Sequence, residues 1–151
     1  MMSICKATCL LSFVFAFEVQ ALPNYWSFES GQGYDNYSII SKNNKTQVSI
    51  SCGEMAASEN RVFVTQGKID RDSTKNDFEF LIDGETFFVP RDTNYRNGAN
   101  DWRKFFEAIS TTNSFSVYRN NKLIANFSPP TRNVQKVFKD AVCTPKFDWN
   151  P

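Results

Sequence analysis

The chain has 151 residues, 17 of them Lys or Arg and 16 Asp or Glu, and contains no histidine. That length builds one domain with a real core and falls short of two ordinary ones. A net charge of +1 leaves no electrostatic footprint for nucleic acid or anionic lipid, and the missing imidazole removes His-dependent triads, His zinc ligands and His pH switches. Hydrophobic residues at 41 % and fifteen phenylalanines point to a globular, strand-rich chain.

Residues 1–21 read as a secretory signal. Lys6 supplies the positive start, the run from Cys9 to Phe17 is apolar but shorter than a bilayer span, and Val19-Gln20-Ala21 offers small residues for cleavage. The alternative is a buried N-terminal strand or helix. Cleavage leaves a single globular domain over 22–151, periplasmic or secreted, and removes Cys5 and Cys9. The remaining pair, Cys52 and Cys143, is expected to form one disulfide closing a loop of about 90 residues, worth on the order of 4 kcal/mol.

Strands are expected at Tyr25–Phe28, after which Ser30-Gly31-Gln32-Gly33 makes a loop, and at Tyr37–Ser41. Val48, Ile50 and Cys52 fall on one face of a strand over 46–52, and Arg61–Gln66 gives another. A polar connection over 53–60 has room for one helical turn around Met55-Ala56-Ala57. Phe78–Ile82 and Glu85–Val89 flank Asp83-Gly84, the favoured type I′ hairpin pair. Asn100 can cap a helix over 101–110, with Trp102, Phe105, Phe106 and Ile109 on one face. A second hairpin, 114–118 with 122–127 about Asn120-Asn121, leads to a second helix opened by Pro129-Pro130-Thr131. That helix presents Val134, Val137, Phe138 and Ala141 and ends at Cys143. The second half thus reads as a ββα unit used twice, or as two good hairpins of separate origin. The tail from Thr144 is either a short strand or a mobile end. The fold class is α+β: an antiparallel β-sheet of about seven to eight strands, built from hairpins, with two short helices packed on it and one disulfide.

Chemistry is sparse. Without histidine a nucleophile would need a Ser-Lys, Thr or carboxylate arrangement, and no SxxK, GxSxG or P-loop pattern occurs after the leader. The carboxylate pairs Asp70/Asp72 and Asp77/Glu79 fit solvated positions as well as glycosidase acid–base work. Calcium at Asp70, Asp72 and Asp77 is opposed by Arg71 and Lys75 and lacks the glycine and glutamate of an EF-hand loop. No catalytic residue, metal or cofactor is assigned. Two loops suit protein binding: Ser30, Gly31 and Tyr34 in a glycine-rich loop, and Tyr95 with Arg96, since Tyr and Arg dominate interface hot spots. Ordinary solvated loops are the alternative. Membrane insertion is disfavoured, since Arg103, Lys104, Glu107, Lys136 and Lys139 balance the helix faces.

The layout of Trp102, Phe106, Ala108, Phe115, Val117, Phe127, Val137, Phe138 and Cys143 resembles small bacterial envelope proteins of the invasion-associated locus B group. There a helix opened by Trp precedes a hairpin, and a last short helix runs into a C-terminal Cys. Ser30-Gly31-Gln32-Gly33-Tyr34 is similar to the SGxxY loop of periplasmic lysozyme inhibitors. That resemblance implies that Ser30 and Tyr34 would enter a lysozyme cleft. The expected function is therefore a non-enzymatic exported protein that binds and neutralises another protein, such as a hydrolase or toxin, as an inhibitor or immunity-like factor. An invasion-associated or host-interaction envelope protein is the alternative, and a hydrolase using loop carboxylates is a third class.

Overall fold

A computed structural model describes residues 21–55, 58–72 and 78–149. The expected signal segment lies, but for Ala21, outside these residues, as do Ala56, Ala57 and Asp77. Among the described residues nine strands form two antiparallel sheets rather than one. The first is a meander of β1 (Ser27–Gly31), β2 (Tyr34–Ile40), β3 (Thr46–Gly53), β4 (Arg61–Gln66) and β5 (Ile69–Asp72), ordered β1-β2-β3-β4-β5. The second holds β6 (Phe78–Ile82), β7 (Glu85–Phe88), β8 (Phe115–Arg119) and β9 (Lys122–Phe127), ordered β7-β6-β8-β9. Helix α1 (Arg96–Thr111) links the two hairpins of the second sheet, α2 (Thr131–Val137) follows the last strand, and a 3₁₀ turn, Lys146–Trp149, closes the described chain.

The hairpins owe their register to their turns. Asp83 and Gly84 both have positive φ, as do Asn120 and Asn121, matching the right-handed strand twist. Gln32 (φ 56°) and Gly33 (φ 79°) do the same for β1–β2, so the expected glycine-rich loop is a two-residue turn with Ser30 and Gly31 still in strand. In the second sheet the first strands of the two hairpins pair with each other, Phe80 opposite Val117. The ββα units thus meet across a local two-fold relation, with their second strands at the edges.

Period-two burial then puts Tyr37, Ile39, Val48, Ile50, Val62 and Val64 under the first sheet and Phe78, Phe80, Ile82, Phe115 and Val117 under the second. Helix α1 fills the space between. Its Phe105 meets Phe80 edge-on at 5.1 Å, while Phe106 meets Tyr37 at 6.1 Å and Phe138 at 6.1 Å. Fully burying each such ring contributes about 2–3 kcal/mol. Trp26 lies against Phe115 and Phe138, and its backbone exchanges two hydrogen bonds with the Asn133 side chain (2.7 and 3.0 Å), which anchors α2.

Several boundaries differ from expectation. Helix α1 begins at Arg96, capped at Tyr95 rather than Asn100, because Asp92 Oδ1 accepts the Asn94 backbone N–H at 2.7 Å and turns the chain early. Helix α2 stops at Val137, six residues short of Cys143. The tail is neither strand nor loose end: its 3₁₀ turn packs along α1.

Candidate functional site

The disulfide anticipated from the sequence joins Cys52 at the end of β3 to Cys143 in the extended segment after α2, with Cα atoms 5.0 Å apart. Asn60 runs beside it. Its Oδ1 accepts the Gly53 N–H (2.9 Å) and its Nδ2 donates to the Thr144 carbonyl (2.8 Å), so one buried side chain ties the residues that follow the two cysteines. The fully buried Trp102 donates its indole N–H to the Cys143 carbonyl at 2.9 Å. Beyond it, Lys146 N–H reaches Thr93 Oγ1 (3.2 Å) and Phe147 N–H reaches the Thr93 carbonyl (2.8 Å). The last seven described residues are thereby laid along the start of α1.

Each of the two predicted binding segments is tied by hydrogen bonds to a stretch that follows one of the paired cysteines. Tyr95 is the α1 N-cap and stays 71 % exposed. Arg96 is the first helical residue, with its guanidinium 5.9 Å from the Phe147 ring centre, a cation–π contact that limits its freedom. Close by along the helix, Arg103 forms a paired contact with the Asp148 carboxylate. The β1–β2 turn is tied to the residue after β3, because Ser30 Oγ donates to Glu54 (3.2 Å) and Glu54 N–H bonds the Gly33 carbonyl (3.0 Å). From Glu54 the chain runs to Asn60, then across to Thr144. Gly31 faces Tyr34 and Ser30 faces Asp35 in the hairpin. Ser30 and Tyr34 therefore leave the ribbon on opposite faces, and a partner touching both must straddle the turn.

Sequence reasoning missed Asn60 and Thr93, which join these segments, and the exposed Met55, Val142 and Trp149 around them. A pair of apolar residues in the tail, Phe147 and Trp149, was the available signal. The carboxylate pairs behave differently. Asp70 and Asp72 sit two apart on β5, Asp77 lies outside the described residues, and Glu79 stands on the outer face of the second sheet. Among the described residues no group of three or more His, Cys, Asp or Glu converges as a metal site, and no helix is long and apolar enough to cross a membrane. Tyr37 has its phenol pushed up to about 12 by burial and, secondarily, by the Asp35 charge, so it stays neutral in the core.

The sequence profile of the YfjT family matches residues 24–138, which takes in both sheets and both helices. This chain belongs to the YfjT family. It is similar to the uncharacterized protein YfjT of Escherichia coli (strain K12), with 30 % identity over 144 residues, 89 % of this chain and 92 % of that one. It is also similar to the uncharacterized protein YkfB of the same strain, 28 % identical over 129 residues, 81 % of this chain and 83 % of that one. No solved structure matches. The YfjT-family match includes the hairpin turn and Tyr95–Arg96, and ends before Cys143. These matches bear on neither the invasion-associated locus B group nor the lysozyme inhibitors.

Proposed function

We propose that this YfjT-family protein is exported and acts without catalysis of its own, by binding and neutralising another protein through its disulfide-tied end. The observation that carries this reading is Tyr95, largely exposed yet fixed at a helix cap beside an Arg96 held over Phe147. A tyrosine has few rotamers to lose and this arginine is already held over a ring, so the pair loses little freedom on binding, which is what a tight inhibitor or immunity-like factor needs. The disulfide supports an oxidising compartment, the periplasm or the medium.

The test is affinity capture from envelope extract and culture medium with the chain from Leu22, followed by titration calorimetry on the captured protein. Tyr95→Ala and Arg96→Ala should each weaken binding about tenfold or more while the thermal melt stays put. Unchanged affinity for both variants would show that this end is not the working surface. Failure to retain any protein would favour a host-surface or glycan role instead.

A further inference from the structure

The outer face of the second sheet carries a depression apart from the disulfide-tied end. Register places four residues in one row across all four strands: Phe88 opposite Glu79, Glu79 opposite Tyr118, Tyr118 opposite Leu123. Phe88 and Leu123, at the two edges, are 59 % and 46 % exposed. An open depression of about 260 Å³ adjoins the two central members of the row, Glu79 and Tyr118, with Leu81, Thr86 and Asn121 completing its lining. The central carboxylate is half-buried and, among the described residues, has no ion pair or hydrogen bond. Arg119, next to Tyr118 in the chain, is turned away, since its guanidinium lies over the Phe78 ring and Phe78 faces the core.

The first sheet's outer face makes the contrast. Its depression of about 290 Å³ holds Gln47 and Ser49, whose polar groups already bond each other (2.9 Å), while Ser38 bonds Ser49 (3.0 Å). Those groups are spent on one another. Glu79 is not.

We infer that the Phe88–Glu79–Tyr118 row is a docking site for a protein partner's cationic side chain, an arginine or lysine, with Glu79 as its counter-charge. A carboxylate between two aromatic rings meets a cation with both its charge and the ring faces. Thr86 Oγ1 and the Asn121 amide oxygen can accept further N–H groups. The depression is shallow and open, with room for one side-chain end. The inference is independent of the proposed binding end, and Tyr95→Ala should leave it intact.

The test is an NMR titration of the full folded protein with a blocked tripeptide, acetyl-Gly-Arg-Gly-amide, against the same peptide carrying neutral citrulline. The arginine peptide should shift the amides of Glu79, Leu81 and Tyr118. The citrulline peptide should not, Glu79→Gln should weaken the arginine response about tenfold, and raised salt should diminish it. Phe88→Ala, at an exposed edge position, should weaken it without disturbing the fold. Equal shifts from both peptides, an unchanged Glu79→Gln titration, or a response to methyl N-acetylglucosaminide in place of the arginine peptide would overturn the assignment.

Discussion

Replacing Cys52 and Cys143 together by alanine should reveal how much of the stability resides in the unfolded chain. The disulfide spans 91 positions. In the chain-entropy treatment, closing a loop of that size removes about 4–5 kcal/mol of disorder from the denatured ensemble. Against a typical total of ~5–15 kcal/mol, that is a third or more. For a domain of this size the melting temperature should fall by on the order of 15–20 °C. The native arrangement should meanwhile persist, because Trp102, Asn60 and Thr93 still hold the 143–147 segment by hydrogen bonds. The assay is a pair of thermal melts followed by far-UV circular dichroism, with near-UV spectra at 20 °C to verify that aromatic packing is retained. Repeating it in an Asn60→Ala background separates the two mechanisms. An entropic disulfide gives the same increment in both backgrounds, whereas a native-state clamp loses more when Asn60 is already gone. A decrease of less than about 5 °C would refute the loop-closure reasoning.

Gly98→Ala should destabilise the protein by about 2 kcal/mol or more, measured by urea unfolding, since a Cβ there would sit 1.9 Å from the Asp92 carbonyl oxygen. An alanine variant of unchanged midpoint would mean that the 92–95 turn yields freely. Tyr37 should lower stability in strong alkali. Its folded pKa, about 12, lies above the usual 10.0, so its contribution is complete below pH 10 and is lost as pH rises toward 12. Phenolate absorbance at 295 nm should show one late-titrating tyrosine that vanishes in Tyr37→Phe; a titration identical to wild type would place that phenol elsewhere.

Most of the architecture was legible because its signals are local. Alternation in 46–52 and 61–66 marked two buried strand faces, and Asp83-Gly84 and Asn120-Asn121 marked their hairpins at the residue level. The loop after Phe28 was legible from its glycines, but its two turn residues were not, because glutamine rarely adopts the positive φ that the pairing of β1 with β2 imposes on Gln32. Strand β5 reads as polar loop, since Ile69-Asp70-Arg71-Asp72 has no apolar alternation and becomes strand by pairing with β4 at the sheet's edge. Division into two sheets had no signal either, because it depends on α1 presenting Phe105 to one sheet and Phe106 to the other. The candidate site was half visible. Tyr95, Arg96 and the hairpin turn announced themselves by residue type, whereas Asn60 and Thr93 act through backbone partners far away in the chain.

The pairing of Cys52 with Cys143 sets an order of events during synthesis. The meander β1–β5 is made of neighbour-to-neighbour hairpins and can assemble while the C-terminal half is still unmade. Its thiol at Cys52 then waits for the last part of the chain to arrive. A chain that retains its first 21 residues offers Cys5 and Cys9 as rivals at about half that sequence distance. Loop closure alone favours such a wrong pairing by roughly threefold. On the expectation that residues 1–21 are a cleaved signal, their removal before oxidation decides which disulfide forms, and timing, rather than affinity, guards the correct bond.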